Sequence, residues 1–214
     1  MNKTLLQVNA SLFSSAGQST LLANEFVAGW KKRNRGASVI VRDLSREPVP
    51  HLTAERFQAF LTQPAERDAG QRAEAAYSDA LIDELQRADV IVLGVPMYNF
   101  DVPSTLKAYF DHIARAGVTF RYTEQGPVGL LTGKKVYIFA SRGGLYAGNA
   151  YDTQSAYLKN FLGLLGLTDV EFVYAEGLAI GAASKDAAVA QAQKSIARIH
   201  ALAEGPQVHE PLAA

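Results

Sequence analysis

The sequence VIVLGVPMYNFDVP, residues 90–103, decides the fold of this 214-residue chain. Its first part, Val90 to Val95, carries no polar side chain, as in a parallel strand that is buried on both faces. A helical pattern begins near Ser104, so the residues in between connect the end of a buried strand to the start of a helix. Open α/β sheets bind their ligands at such connections.

Apolar runs and helical periodicity alternate along the rest of the chain. Five runs are predicted as strands: Thr4 to Asn9, Val39 to Val41, Val90 to Val95, Val136 to Ala140 and Val170 to Tyr174. Helices are predicted over Ser19 to Arg33, Ala54 to Leu61, from after Pro64 to Arg87, Ser104 to about Gly117, Gln154 to Leu165 and Ser184 to Ala203. The alternation predicts an α/β fold with a five-stranded parallel sheet and helices on both faces. Right-handed crossovers leave two strand orders open, 3-2-1-4-5 and 2-1-3-4-5.

The composition is that of an ordinary globular protein with a small-molecule partner. Hydrophobic residues make up 48% of the chain and its formal net charge is zero, so no basic field attracts nucleic acid or an anionic membrane. The absence of cysteine excludes disulfides, a thiolate nucleophile and thiolate metal ligands. No apolar run approaches the roughly 18 residues of a membrane span, and the amino terminus runs directly into the first predicted strand. We expect one cytoplasmic domain over residues 1–214, with a loose tail from about Glu204.

The loop after the first strand is rich in hydroxyl groups and contains no lysine or arginine. Ser11, Gly17, Gln18 and Ser19 lie in it or at the start of the following helix. Backbone N–H groups and hydroxyls at a helix start bind a phosphate monoester without a cation. An ordinary helix start with a polar loop is the alternative. Because the glycine patterns of ATP-binding and dinucleotide-binding loops are absent, Asp43 at the end of the second strand is interpreted as a surface acid in preference to a ribose ligand.

Two further loops leave the same edge of the predicted sheet. After the third strand, Met97, Tyr98 and Phe100 offer a flat surface, and Asn99 offers hydrogen-bond donors and an acceptor. After the fourth strand, Ser141 to Gly144 contains two glycines that let a ligand approach the backbone. Each loop alone is more typical of a plain turn. Because the carboxyl ends of parallel strands share one edge, the three loops together predict a site for a planar heterocycle with a phosphate tail.

No side chain outside these loops is predicted to carry catalysis. The four histidines, His51, His112, His200 and His209, stand at no metal-ligand spacing, so no metal site is predicted. No Gly-x-Ser-x-Gly pattern supports a hydrolase. The segment from Val118 to Gly133 is too irregular for a regular element and long for an idle loop, which predicts a functional segment such as a lid.

Four motifs together resemble the family of FMN-dependent NADH azoreductases and NADH:quinone oxidoreductases. They are Ser11 with Gly17-Gln18-Ser19, Pro96-Met97-Tyr98-Asn99-Phe100, Gly117-Val118-Thr119-Phe120-Arg121-Tyr122 and Ser141-Arg142-Gly143-Gly144. There are two departures: Phe13 stands where many members carry Arg, and Gly17 where Ser is frequent. The resemblance implies a flavodoxin-like sheet in the order 2-1-3-4-5, a homodimer, and FMN that is bound tightly but without a covalent link.

The same resemblance implies roles for individual residues. Ser11, Gly17, Gln18 and Ser19 would hold the phosphate; Pro96, Met97, Tyr98, Asn99 and Phe100 would line the flavin ring and ribityl chain; Ser141, Arg142, Gly143 and Gly144 would close the other side. Phe120, Tyr122 and Phe161 would belong to a substrate pocket, some of them lent by the partner subunit. Asn99 is expected to tune the flavin, and no side-chain acid or base is implied.

The implied activity is a two-electron transfer. NADH or NADPH gives hydride to the flavin N5, leaves, and is replaced by a quinone or an azo compound, which makes the turnover ping-pong. The alternative on the same fold is an electron-transfer module without a small-molecule substrate. Such a flavodoxin-type carrier is expected to be smaller and strongly acidic, whereas this chain is neutral and carries the segment from Val118 to Gly133. A signalling receiver domain needs acidic residues where this chain has Asn9-Ala10 and Val95-Pro96.

Overall fold

The computed structural model of the protein describes residues 3–203, and the tail from Glu204, which was expected to be loose, lies outside them together with His209. The strands are β1 Thr4–Asn9, β2 Ser38–Asp43, β3 Val90–Pro96, β4 Phe120–Thr123, β5 Gly126–Gly129, β6 Lys135–Ser141 and β7 Asp169–Ala175. The helices are α1 Gln18–Arg33, α2 Ala54–Leu61, α3 Ala69–Arg87, α4 Ser104–Ile113, α5 Thr153–Leu164 and α6 Ala182–Leu202. None of these helices is both long enough and apolar enough to cross a membrane.

Five parallel strands form the main sheet in the order β2-β1-β3-β6-β7. Counted among the strands of this sheet alone, the order is 2-1-3-4-5, which decides between the two orders that the alternation of strands and helices left open. The register aligns the carboxyl ends of the central strands, because Asn9 lies opposite Gly94 and Pro96 lies opposite Ser141. The loops that follow β1, β3 and β6 therefore leave the sheet side by side.

Both faces of the sheet are covered, because neighbouring residues of each central strand point to opposite sides. On one face, Leu6, Leu93 and Ile138 pack with buried residues of α3, α4 and α5. On the other face, Leu5, Val92 and Phe139 pack with residues of α1 and α6. This explains why the central strands lack the alternation of apolar and polar residues that a half-exposed strand shows.

The segment from Val118 to Gly133 is not irregular, so that prediction was wrong. Strands β4 and β5 within it form an antiparallel hairpin, with Phe120 opposite Gly129 and Thr123 opposite Gly126. The hairpin is fixed at its base, since the Leu131 N–H donates to the Leu165 carbonyl at 2.9 Å. A Cβ atom added to Gly129 would lie 1.9 Å from the backbone nitrogen of Gly166. The hairpin is therefore docked on the turn between α5 and β7.

Candidate functional site

The three loops meet at the carboxyl edge of the sheet and enclose two small adjoining cavities. One of about 200 Å³ is lined by residues of all three loops, namely Ser11, Phe13, Gly17, Gln18, Pro96, Met97, Tyr98, Ser141, Arg142 and Gly143, together with Leu178. The other, of about 290 Å³, is lined by Met97, Asn99, Phe100, Gly143 and Tyr146. Of the thirteen residues proposed for cofactor binding, only Ser19 and Gly144 line neither cavity.

The first turn of α1 has unused hydrogen-bonding capacity. Helical pairing begins with the Leu21 N–H, which donates to the Gly17 carbonyl at 2.9 Å, and no side chain caps the helix start. The earlier N–H groups, including those of Gln18 and Ser19, have no intrahelical partner, as at any helix start. The Oγ of Ser19 is buried without a hydrogen-bond partner among the described residues. Buried polar groups are normally paired, so this turn has the donors that an anion requires.

Gly17 lets the loop close against the start of α1. A Cβ atom at this position would lie 2.0 Å from the Oγ of Ser11, which is itself almost fully buried. The missing side chain thus leaves room for Ser11 beneath the uncapped helix end. The two predicted phosphate residues Ser11 and Gly17 are therefore in contact, and the cradle they form lies at the positive end of α1.

The loop after β1 is held in place from β2, which the sequence did not reveal. Ser14 has a φ of 49°, a conformation that is uncommon for residues other than glycine. Its Oγ donates to a carboxylate oxygen of Asp43 and accepts from the Arg46 Nε at 3.1 Å. Asp43, which was interpreted as a surface acid, thus holds the shape of the loop. Arg46 places a cation beside a loop that has none of its own.

This brace is expected to depend on pH. Burial alone would raise the pKa of the Asp43 carboxyl, but hydrogen bonds from Ser14 and Ser45 outweigh it and hold that pKa below its ordinary value of 3.8. A lowered folded-state pKa gives stabilisation that is complete above the ordinary pKa and is lost as the pH falls through the folded pKa. The difference in unfolding free energy between wild type and Asp43→Asn should therefore be constant above about pH 5 and shrink below it. Urea unfolding of both proteins at a series of pH values above and below about 5 measures this difference.

The control for this prediction is Asp186→Asn, at an exposed position of α6. Its unfolding free energy should stay within about 0.5 kcal/mol of wild type at each pH, as for most surface substitutions. A wild-type advantage over Asp43→Asn that grew on acidification would contradict the assigned role of Asp43.

The loop after β3 is a strained tight turn. The N–H groups of Tyr98 and Asp101 donate to each other's carbonyls at 3.0 Å, and Asn99 and Phe100 between them have φ values of 50° and 67°. Asn adopts this left-handed conformation readily, whereas for Phe it is an outlier, and such strain concentrates at functional sites. The turn is held from α5, because the Gln154 Nε2 donates to the Pro96 carbonyl at 2.9 Å and to the Asp101 carbonyl at 3.1 Å.

An aromatic cluster stands at the mouth of the second cavity. The Phe100 ring is 47% exposed and lies 5.6 Å from the ring of Tyr146 and 5.9 Å from that of Tyr151, measured between centroids. Neither tyrosine was predicted to belong to the site. Both follow the Ser141–Gly144 motif within ten residues, so their position could have been inferred from proximity in sequence once that loop was placed at the site.

The loop after β6 presents backbone to the cavity and turns its one charged side chain inward. The Arg142 side chain is fully buried, with its guanidinium 2.8 Å from an Asp152 carboxylate oxygen and 3.1 Å from one of Glu176. It also donates to the Ser155 Oγ at 2.8 Å and lies 4.8 Å from the centre of the Tyr174 ring. Arg142 therefore closes the site through its backbone, while its guanidinium fixes the loop to α5 and β7.

The ion pair with Arg142 governs the charge state of Asp152. Burial alone would raise the pKa of the Asp152 carboxyl, but hydrogen bonds from Arg142 and Ser155 outweigh it and hold that pKa below its ordinary value. Asp152 therefore remains charged and keeps the guanidinium paired at neutral pH. The loop after β6 is stabilised by charges that never face the cavity.

The three residues proposed for a substrate pocket do not line either cavity of the single chain. Phe120 is buried at the base of the hairpin, and its ring meets that of Tyr122 edge to face at 5.4 Å. Tyr122 is 75% exposed on the hairpin. Phe161 of α5 stacks on Phe110 of α4 with ring centroids 4.1 Å apart. These residues occupy the hairpin and the α4–α5 side of the molecule.

The histidines that the structure describes differ in their surroundings: His51 is exposed, whereas His112 packs within the fold. His112 is buried, its Nε2 lies 3.0 Å from the Pro50 carbonyl, and burial lowers the pKa of its ring. Within residues 3–203, no three His, Asp or Glu side chains are grouped so as to hold a metal ion. A cavity of about 770 Å³ adjoins the two smaller ones, since Met97, Tyr98 and Asn99 line it together with Leu12 and residues up to Lys107. Another cavity, of about 710 Å³ between α2 and α3, shares no residue with the three loops.

Comparisons with known proteins agree with this geometry. Residues 3–199 match the family model for the flavodoxin-like fold. An FMN-dependent NADH:quinone oxidoreductase of Cellvibrio japonicus is 59% identical over 193 residues, which cover 90% of this chain and 96% of that protein. FMN-dependent NADH:quinone oxidoreductase 6 of Burkholderia lata is 55% identical over 194 residues, with 91% and 98% covered. The crystal structure of an azoreductase from Bacillus anthracis superposes with a TM-score of 0.84 at 26% identity, covering 92% of this chain and 98% of that one.

The match extends over almost the whole chain and includes all three loops of the site. The family inferred from the four sequence motifs is thereby confirmed. The chain belongs to the flavodoxin-like family and, within it, to the FMN-dependent NADH:quinone oxidoreductases.

Proposed function

We propose that this protein binds FMN at the three loops and transfers two electrons from NADH or NADPH to quinones and azo compounds in a ping-pong reaction. The observation that carries the proposal is the cavity lined by all three loops beside the uncapped start of α1. The sequence identity of 59% and 55% to the Cellvibrio and Burkholderia relatives supports the proposal, because it extends over nine tenths of this chain. The proposal takes the chain as one FMN-binding domain that acts in the cytoplasm, where NADH is supplied.

The residues present fit FMN, because the site offers both a phosphate cradle and flat surface. The α1 amides of Gln18 and Ser19, beside the Ser11–Gly17 contact, would hold the phosphate. Met97 and Tyr98 would line one side of the ring, and Gly143 the other. Bound FMN supplies the hydride chemistry, accepting two electrons at its N5 and returning them to the acceptor.

The protein's own contribution would be to position the flavin ring and to stabilise the negative charge that the ring carries when reduced. Asn99 is held in the strained turn with its polar side chain beside the second cavity, where it would stabilise the negative charge of a reduced ring. Gly143 carries no Cβ, so the backbone of the loop after β6 approaches the ring side closely. Among residues 3–203, no Asp, Glu, His or Lys lines either of the two smaller cavities, so protons would come from water or the acceptor.

One experiment tests the reaction directly. The purified protein, or apoprotein reconstituted with FMN, should show a flavin absorption spectrum that bleaches on anaerobic addition of NADH and returns when a quinone is added. A protein that fails to retain FMN after reconstitution would contradict the proposal. If bound flavin were reduced by NADH but not reoxidised by quinones or azo dyes, the electron-transfer alternative would replace it.

The phosphate assignment gives a sharper prediction. The double substitution Gln18→Ala with Ser19→Ala should raise the dissociation constant for FMN at least tenfold, which corresponds to about 1.4 kcal/mol. The substitution keeps the backbone N–H groups of the helix start but removes two side-chain donors, the Gln18 amide and the Ser19 hydroxyl, whose Oγ is buried without a partner. Titration of the apoprotein with FMN, followed by flavin fluorescence, measures the constant. The matched control is Gln193→Ala with Ser195→Ala on α6, where the side chains bind only Glu25 and the Gln191 carbonyl. Equal affinity in the two double variants would rule out the assignment.

The proposal includes a homodimer in which the hairpin contributes to the partner's substrate pocket. Tyr122, Val128 and Leu130 expose apolar surface on or beside the hairpin, with 75%, 41% and 41% of each residue accessible. An interface would bury this surface and bring Phe120, Tyr122 and Phe161 toward a cofactor site that they do not reach within one chain. Light scattering should give twice the chain mass of 23.1 kDa, and a value equal to the chain mass at working concentration would contradict the dimer.

A further inference from the structure

The connection from β7 to α6 forms a fourth wall of the site, although none of the four sequence motifs includes it. Leu178 lines the smaller cavity together with the three predicted loops. Its backbone is paired with the loop after β6, since the Leu178 N–H donates to the Arg142 carbonyl at 3.1 Å and the Ala179 N–H donates to the Gly143 carbonyl at 3.0 Å. The two loops are therefore joined along the side of the cavity that Gly143 forms.

Glu176 is the side chain that ties these two loops together. A single oxygen of its carboxylate, Oε1, accepts from the Arg142 guanidinium at 3.1 Å and from the backbone N–H groups of Tyr146 and Ala147 at 2.8 and 2.9 Å. The loop from Arg142 to Ala147 thus turns around one oxygen atom. Gly143 and Tyr146, which line the second cavity, lie inside this turn.

We infer that Glu176 is a positioning residue of the FMN site. It lines neither cavity itself, but it holds residues 142–147 in the shape that lines both cavities. The inference rests on the proposed function. An ionised carboxylate suits the task because charge-assisted hydrogen bonds are roughly twice as strong as neutral ones, and two successive N–H groups form a concave anion site. The Gly177 N–H adds a bond to the Gly144 carbonyl at 2.9 Å, so the neighbouring residue fixes the one member of the Ser141–Gly144 motif that lines no cavity.

The test is FMN binding by apoprotein variants, measured by quenching of flavin fluorescence. Glu176→Ala removes the acceptor from three donors and should raise the FMN dissociation constant at least tenfold. Glu176→Gln keeps an oxygen at the same reach and should restore binding to within about threefold of wild type. The visible circular dichroism of bound FMN should change in the alanine variant and return in the glutamine variant, because it reports the surroundings of the ring.

The matched control is Glu171→Ala on the same strand, β7. Glu171 pairs with Lys135 at 3.4 Å on the far part of the strand and contacts neither loop of the site. The Glu171→Ala apoprotein should bind FMN with the same affinity as wild type. If Glu176→Ala fails to fold, Glu176→Asp tests the positioning role instead. The aspartate side chain is one methylene shorter and cannot reach all three donors, so this variant should bind FMN at least threefold more weakly than wild type.

The outcomes separate the two claims. Wild-type apoprotein that does not bind FMN would overturn the proposed function itself. The positioning role alone would be overturned if wild-type and Glu176→Ala apoproteins bound FMN with equal affinity. It would also be overturned if the glutamine and alanine variants lost FMN affinity to the same extent. A lower melting temperature in the alanine variant with unchanged affinity and circular dichroism would mean that Glu176 only stabilises the fold.

Discussion

Replacing Arg142 by Met is expected to lower the free energy of unfolding by about 3–5 kcal/mol, the range found when one partner of a buried ion pair is removed. The guanidinium is wholly buried and meets the carboxylates of Asp152 and Glu176 at 2.8 and 3.1 Å. Methionine keeps an apolar stem but is shorter and carries no charge, so both carboxylates, whose side chains are 9% and 15% exposed, would be left without their cation. Chemical denaturation of the apoprotein measures the loss without interference from the cofactor.

The control for Arg142 is a surface pair of the same chemistry. Arg87 lies 2.8 Å from Asp83 on α3, with both side chains more than half exposed, and Arg87→Met should cost less than about 1 kcal/mol. The double variant Arg142→Met with Asp152→Asn should recover part of the stability lost by Arg142→Met, because one uncompensated charge is removed. Equal losses at positions 142 and 87 would contradict the role assigned to the buried network.

Gly129→Ala is expected to destabilise the protein by about 3 kcal/mol, the upper part of the usual range for overpacking. An added Cβ would lie 1.9 Å from the Gly166 nitrogen and 2.2 Å from the Leu165 carbonyl carbon. Both are backbone atoms, which cannot rotate away as a side chain does. The hairpin would have to separate from the turn between α5 and β7, and urea unfolding would report the lost contact.

A second glycine nearby serves as the control. Gly163 lies within α5, and an added Cβ there would meet nothing within 4 Å. Gly163→Ala should therefore leave stability unchanged or raise it by up to about 1 kcal/mol, the difference in helix propensity. If both alanine variants behaved alike, the close approach of Gly129 to Gly166 would not be what fixes the hairpin.

Local sequence patterns predicted the main sheet well, because its strands are long and buried on both faces. The apolar run from Val90 to Val95 could be neither a polar loop nor a half-exposed strand, and β3 covers it. The hairpin was not predicted because each of its strands has only four residues, and two of the four residues of β5 are glycines, Gly126 and Gly129. What makes it regular is a docking contact with Gly166, which no local pattern contains.

The sequence predicted that the three loops of the site meet at one edge of the sheet, but not which residues hold each loop in shape. The residues of the three loops could be named because their chemistry is unusual where they stand. The partners that shape those loops are distant in sequence: Ser14 is braced by Asp43, and Arg142 by Asp152 and Glu176. Motif reading gave Arg142 a place at the flavin, whereas tertiary packing turns its side chain away. Such pairs depend on which strand lies next to which, and this follows only from the fold.

The position of β1 between β2 and β3 has a consequence for how the protein is made. Leu5 lies opposite both Val39 and Val90, so the strand synthesised first completes its pairing only after β3 has left the ribosome. Until then its apolar residues and one hydrogen-bonding edge remain uncovered, which is the state in which nascent chains aggregate. Contacts between segments so far apart also slow folding. A chain released after α3 should therefore remain unfolded, whereas release after β3 allows the first three strands to assemble.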